Sequence, residues 1–225
     1  MRVNPDVRVV ILTGRGRGFC VGRDLRSGGG PSDYDGLSSH KAQHLAYGYA
    51  FGRTLWDTVH DFPKPLIAAV NGWALGGGWE LAHLCDWIIA AETAVFGAVE
   101  IDVGLPPFAG TCTYLTRIVG KHLAMDLIVR GRKITAQEAL ELHLVNEVVP
   151  IDALTSSALA LATDIASRPP ITVAVVKQLV SEANASLENH KLERALSYYV
   201  QTLEDTKAAG AATAAKQPRP QFHGR

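Results

Sequence analysis

A run of apolar residues followed by three consecutive glycines constrains the fold of this chain more than any other feature. Leu66 to Val70 contain no polar side chain, which predicts a short strand buried on both faces. Gly76-Gly77-Gly78 follow, and a helix is expected to begin near Trp79. The first amides of a helix lack intrahelical acceptors and glycine lacks a Cβ, so such a turn lets N–H groups approach a ligand. The segment predicts an α/β fold with a site at a strand-to-helix turn.

The rest of the chain repeats strand and helix signals in its first half and shows helix signals alone in its second half. Strands are expected over 7–13 and 87–91, and a loose helical period covers roughly residues 38–60. Later signals are a capping box at Thr135 to Glu138, a possible helix cap at Asp152 and a break at Pro169-Pro170. We therefore predict an α/β core over 1–150 and a C-terminal helical part over 151–225.

Composition excludes several classes of function. Lys plus Arg and Asp plus Glu both number 22, so a broad basic face for nucleic acid is not expected. The 3 cysteines form no Cys-x-x-Cys pair, and neither a signal peptide nor a membrane span is present, which favours the reducing cytoplasm and no membrane partner. Both ends are basic, which predicts either solvated ends or cations for a phosphate-bearing ligand.

Common cofactor and metal motifs fail on spacing. The glycines at 14, 16 and 18 lack the third glycine of the dinucleotide fingerprint, and neither a P-loop nor a Gly-x-Ser-x-Gly elbow is present. His40 and His44 stand four residues apart without a third ligand, so no metal site is expected. The 4 tryptophans are assigned to the core because basic residues do not alternate with them.

What remains is a pair of acids near two glycine turns. Glu80 lies within one helical turn of the triple glycine, and Glu100 follows a later strand. A second glycine turn surrounds Gly22, and two amides converging on one oxygen would form an oxyanion hole. Taken alone, each acid has a structural explanation, Glu80 as a first-turn helix acid and Glu100 as a surface residue. Together with the turns they predict acid–base catalysis.

These residues resemble the enoyl-CoA hydratase/isomerase, or crotonase, family. The resemblance is carried by Lys64-Pro65-Leu66-Ile67-Ala68-Ala69-Val70-Asn71-Gly72-Trp73-Ala74-Leu75-Gly76-Gly77-Gly78-Trp79-Glu80-Leu81-Ala82 and by Phe96-Gly97-Ala98-Val99-Glu100. It extends through Gly120 and the Glu138-Ala139-Leu140 helix to the ending Pro220-Gln221-Phe222-His223-Gly224-Arg225. The resemblance implies a spiral of ββα units with a C-terminal helical part that forms homotrimers or dimers of trimers.

The resemblance also implies the chemistry. An acyl-CoA thioester oxygen would be held by the backbone N–H groups of Arg23 and Gly77, with no cofactor beyond the coenzyme A of the substrate. Glu80 would activate water for attack on C3, and Glu100 would exchange a proton at C2. The substrate contacts assigned alongside them are Val21, Asp24, Leu25, Gly76, Gly78 and Phe108.

Two departures from the family pattern keep alternatives open. The chain has no counterpart of the family's N-terminal hairpin and helix before Val7, so we expect a core without that piece. Phe108 replaces a family glycine near the catalytic water. His143 also stands where a left-handed glycine often ends a helix, a tolerable substitution with little functional meaning. The prediction is a hydratase-type lyase of fatty acyl-CoA metabolism. Isomerisation, thioester hydrolysis and a non-catalytic assembly subunit remain alternatives, with a nicotinamide oxidoreductase a distant further one.

Overall fold

The computed structural model describes residues 2–22, 24, 55–184, 201–218 and 220. Within these residues, eight strands form two four-stranded sheets. The strands are β1 (Val10–Thr13), β2 (Gly18–Cys20), β3 (Leu66–Val70), β4 (Trp73–Leu75), β5 (Trp87–Ala91), β6 (Val95–Gly97), β7 (Lys133–Thr135) and β8 (Glu147–Val149). The helices are α1 (Leu55–His60), α2 (Gly77–His83), α3 (Thr111–Val129), α4 (Ala136–Glu141), α5 (Leu154–Ala166), α6 (Pro170–Asn184) and α7 (Glu204–Ala214).

From β1 to β6, consecutive strands alternate between the two sheets, after which β7 joins the second sheet and β8 the first. The first sheet has the order β1-β3-β5-β8 and is parallel throughout. The second has the order β2-β4-β6-β7, in which only β7 runs antiparallel to its neighbour. Because β3, β4 and α2 follow one another, each ββα unit adds one strand to each sheet. The predicted α/β, crotonase-like fold is confirmed.

The first sheet is covered on both faces, as its sequence requires. Every residue of β3 is buried, and alternate residues point to opposite sides. Leu66, Ala68 and Val70 pack in the core that contains Trp79 of α2. Ile67 and Ala69 pack in a second core with residues of α5. The position of α2, and with it Glu80, is therefore fixed by packing on the sheet that precedes it.

Several local expectations are met. The strands over 66–70 and 87–91 form as predicted, and the Thr135 hydroxyl accepts the Glu138 amide at 3.1 Å, as a capping box requires. His143 has a φ of 59°, the left-handed conformation expected at that helix end. Gly120, with φ 78° and ψ 164°, kinks α3.

Three expectations are wrong. The second half contains the strands β7 and β8, which are too short, at 3 residues each, to show a periodic pattern. Asp152 caps nothing, because it lies inside a 3-10 turn and Ala153 occupies the cap of α5. Trp73 is 54% exposed rather than part of the core, since it faces outward at the start of β4.

Among the described residues, no single helix is long and apolar enough to span a bilayer. One pair of helices, 151–166 and 170–181, is long and apolar enough when taken together, but the pair is bent by 109°. No group of three His, Cys, Asp or Glu side chains in the described part of the chain has the spacing of a metal site. His40 and His44 lie outside it.

Candidate active site

The triple glycine forms a turn in which Gly76 and Gly78 are required for different reasons. Gly76 has a φ of 53°, which glycine adopts without strain, and its amide donates to the Gly97 carbonyl at 2.8 Å. A Cβ at Gly78 would overlap the carbonyl of Cys20 in β2. Glycine at these positions therefore lets α2 begin directly against the second sheet.

The two predicted glycine turns meet. Gly22 has a φ of 83°, and a Cβ added to it would lie 3.2 Å from the Gly77 nitrogen. Gly77 also lies against the ring of Trp56 in α1, which a Cβ would approach to 3.3 Å. Val21, directly before Gly22, is 60% exposed, and Asp24, two residues after Gly22, is exposed as well. The other two residues assigned to this turn, Arg23 and Leu25, lie outside the described residues.

Asn71 lies in the segment that carries the family resemblance but had no predicted role, and it connects β3 to the loop that leads into the Gly22 turn. Its Oδ1 accepts the Gly14 amide at 3.0 Å, and its Nδ2 donates to the Gly16 carbonyl at 2.9 Å. One side chain thereby fixes both ends of a short glycine loop. The available signal was a polar residue directly after a buried strand, which is too common to identify a function.

Glu80 projects from α2 and is 2% exposed. Its Oε1 accepts the backbone amides of Phe108 and Ala109, both at 2.6 Å. The Thr111 hydroxyl, at the start of α3, lies 3.4 Å from the same oxygen. Donors of this kind favour the charged form of a carboxyl group over its neutral form.

Glu100 begins a 3-10 turn, Glu100–Val103, which we call the Glu100 turn. Neither of its buried carboxyl oxygens accepts a hydrogen bond from the described residues. The carboxyl group lies over Gly76, where an added Cβ would be 3.6 Å from Oε1. Burial raises the pKa of Glu100 from 4.5 to about 8, and the nearby charge of Glu80 adds to the rise. Glu100 is therefore suited to hold a proton at neutral pH.

Three of the residues that hold Glu80 were not predicted in that role. Phe108 was singled out for its ring, whereas the structure shows its amide at the carboxylate. Ala109 and Thr111 carried no signal in the sequence. Backbone donors cannot be found from residue type, because almost every residue carries the same N–H group.

Comparison with known proteins agrees with the fold. The family model described as enoyl-CoA hydratase/isomerase matches residues 1–225. A mitochondrial enoyl-CoA hydratase of Pongo abelii is 38% identical over 206 residues, 91% of this chain and 67% of that protein. The 2,3-dehydroadipyl-CoA hydratase of Escherichia coli is 36% identical over 224 residues, 99% of this chain and 83% of that protein.

Solved structures show the same fold. The carnitinyl-CoA hydratase of Mycobacterium avium matches with a TM-score of 0.79 and 35% identity, over 100% of this chain and 84% of that chain. The chain spans about two thirds of the mitochondrial relatives, 67% of one and 62% of a Dictyostelium discoideum protein. These comparisons and the fold define an α/β protein of the crotonase type. The chain belongs to the enoyl-CoA hydratase/isomerase family.

Proposed function

We propose that this protein is an acyl-CoA lyase that adds water to a 2-enoyl-CoA or removes it from a 3-hydroxyacyl-CoA. The observation that carries the proposal is the pair of buried glutamates, Glu80 held by amide donors and Glu100 without any among the described residues. Hydration needs one group to take a proton from water and another to deliver a proton to carbon. The hydratase names of the relatives support the same reaction.

The thioester oxygen is proposed to bind between the two glycine turns. As water adds to the conjugated double bond, negative charge collects on that oxygen, and preorganised N–H donors stabilise it. The close approach of Gly22 to the Gly77 nitrogen supports a shared site for the amides of Arg23 and Gly77. Loss of one such donor typically lowers the rate about 10²–10³-fold.

The two carboxyl groups then divide the proton transfers. Glu80, as a carboxylate, takes a proton from water while the water oxygen bonds to C3 and the π electrons move into the thioester enolate. Glu100, as an acid, delivers its proton to C2 as the enolate collapses. The net change is the addition of one water molecule. The starting state is restored when Glu80 releases its proton to solvent and Glu100 takes one up from solvent. Dehydration follows the same steps in reverse.

Substrate contacts and the metabolic setting form part of the same proposal. Val21, Asp24, Leu25, Gly76, Gly78 and Phe108 would surround the acyl-CoA, and no cofactor is required beyond coenzyme A. Phe108 is a candidate wall of the acyl pocket, because its backbone is tied to Glu80 and its half-buried ring begins beside that carboxylate. The cytoplasm stays the predicted location.

A homotrimer or dimer of trimers is the proposed assembly. The support lies on α6, where large apolar side chains are exposed in the single chain. They include Ile171 at 79%, Leu179 at 60% and Val180 at 62%. Exposed apolar surface of this kind favours burial against another chain. Light scattering coupled to size-exclusion chromatography measures the state, and a monomer at micromolar concentration would contradict the proposal.

A steady-state assay with crotonyl-CoA tests the function. Liquid chromatography with mass spectrometry of the product separates the alternatives, since hydration adds the mass of water, isomerisation gives a new peak of unchanged mass, and hydrolysis releases free coenzyme A. The Glu80→Gln/Glu100→Gln double variant is the matched control. No turnover by the wild type, with acetyl-CoA binding unchanged in the double variant, would favour a non-catalytic subunit instead.

A further inference from the structure

The C-terminal helix α7 packs on the turn that carries Glu100. The Thr206 hydroxyl donates to the Gly104 carbonyl at 3.0 Å, directly after the Glu100 turn. Ala209, one helical turn further on, is 1% exposed. After a second turn, the Thr213 hydroxyl donates to the Asp102 carbonyl at 3.3 Å. These contacts join positions about a hundred residues apart in sequence.

Gly104 is the point at which this contact is closest. Its φ of 74° is in the left-handed region, and a Cβ there would lie 3.1 Å from Thr206 Cα and 3.3 Å from Ala209 Cβ. The Gly104 amide donates to the Ile101 carbonyl at 3.1 Å, which closes the Glu100 turn. The conformation of Gly104 therefore shapes the turn, and α7 occupies the space that a side chain at 104 would need.

Gly104 also lies midway between the two halves of the candidate site. Glu100 is four residues before it, and Phe108, whose amide donates to Glu80, is four residues after it. Pro106 and Pro107 lie in the second interval, and the fixed φ of proline makes that connection stiff. A displacement at Gly104 is thus expected to move Glu100, through the short Glu100 turn, and the segment that contacts Glu80, through the stiff connection at Pro106 and Pro107.

Glu100 depends on this backbone more than Glu80 does. Two amides and a hydroxyl hold the Glu80 carboxylate in place. The Glu100 carboxyl accepts no hydrogen bond from the described residues, so its position is set by the turn and by contact with Gly76. Whatever fixes the turn therefore fixes the acid.

We propose that α7 holds the Glu100 turn in its reactive position, and that Thr206 is a positioning residue for the proton donor of the reaction. The proposal rests on the proposed function. Thr206 itself touches no reacting atom and acts through the Gly104 carbonyl. The helical C-terminal part would thereby contribute to catalysis through the placement of an acid.

The test compares Thr206→Val with Thr206→Ser. Valine keeps the shape of threonine but cannot donate a hydrogen bond, so the Glu100 turn is expected to loosen. With crotonyl-CoA, kcat is expected to fall about tenfold while KM stays within about twofold, because even a small misplacement of a reacting group lowers the rate. Serine keeps the hydroxyl and is expected to restore kcat. Lys207→Arg, at an exposed position next along α7, keeps the charge there and is the matched control, which should behave as the wild type.

A titration by ¹³C NMR of labelled glutamate adds a readout independent of turnover, with the Glu100 resonance assigned from Glu100→Gln. In Thr206→Val the pKa of Glu100 is expected to fall, because a looser turn admits water. Thr206→Val alters none of the charged groups on the elements packed around the turn. Those groups are Glu80 on α2, Asp102 on the turn, Arg132 beyond α3, and Glu204, Asp205 and Lys207 on α7.

The outcomes separate the two proposals. Absence of hydration by the wild type would refute the function, and the titration would still test the positioning. An active wild type with an unchanged kcat and an unchanged Glu100 titration in Thr206→Val would overturn the inference. If Thr206→Val does not fold, Gly104→Ala pushes on the same contact from the other side, and wild-type kcat in that variant would equally overturn it.

Discussion

The carboxyl groups of Glu80 and Glu100 are both buried, yet their surroundings differ in kind. The Glu80 region supplies donors, two amides at 2.6 Å and a hydroxyl at 3.4 Å, so a negative charge is stabilised there. The Glu100 region supplies none from the described residues, and burial raises the pKa of Glu100 to about 8. Two identical side chains are therefore suited to different roles, because one has donors that favour its charged form and the other is buried without them.

The same contrast appears in how each acid is attached. Glu80 projects from α2, which packs in the core through Trp79, 1% exposed. Glu100 sits on a single 3-10 turn that ends at Gly104, whose carbonyl accepts a hydrogen bond from Thr206 of α7. One acid is fixed by its own hydrogen bonds and the other by the backbone that carries it.

The largest expected effect comes from removing the proton donor. Glu100→Gln is expected to lower kcat about 10²–10⁴-fold with little change in KM, because its proton transfer is made in the transition state. Steady-state kinetics with crotonyl-CoA measure both constants. A kcat within twofold of the wild type would remove Glu100 from the mechanism.

The raised pKa of Glu100 also predicts how stability depends on pH. The folded state holds this proton more tightly than the unfolded state does, so the contribution is complete below about pH 4.5 and is lost as pH rises through about 8. Glu100→Gln cannot ionise there, and we expect it to be more stable than the wild type at pH 8.5 and to lose that advantage at pH 5. Urea unfolding at the two values measures the difference. An equal difference at both would contradict a buried neutral acid.

Much of this arrangement was predictable from sequence because it rests on glycine and on buried strands. The apolar run Leu66 to Val70 predicts a buried strand, and the triple glycine at 76–78 predicts a tight turn before a helix. The two acids are recognisable as candidates because they lie close to these features in sequence. The donors to Glu80 are backbone amides, which no residue type announces. The contact of Thr206 with Gly104 joins positions 102 residues apart, and a single sequence carries no signal of such a pairing.

The charge of Glu80 contributes to the raised pKa of Glu100, so removing that charge tests how much of the rise is due to burial. Glu80→Gln removes the charge that adds to the rise in the pKa of Glu100, so that pKa is expected to fall below about 8. It should stay above 4.5, since burial is the larger cause. ¹³C NMR titration measures the value. A drop all the way to 4.5 would make Glu80, rather than burial, the main cause.

The smallest expected effect concerns the weakest donor to Glu80. Thr111 is 1% exposed, and its hydroxyl lies 3.4 Å from the carboxylate, longer than the two amide contacts. Thr111→Val is expected to lower kcat about two- to tenfold, the range of one hydrogen bond, because both amides remain. Thr111→Ser should recover most of the rate, and Thr116→Val, exposed on the same helix, should change nothing. A loss of kcat in Thr111→Val as large as that in Glu100→Gln would mean that the two amides alone do not hold Glu80. The difference between the hydrogen-bonded carboxylate of Glu80 and the buried acid of Glu100 would then need a different cause.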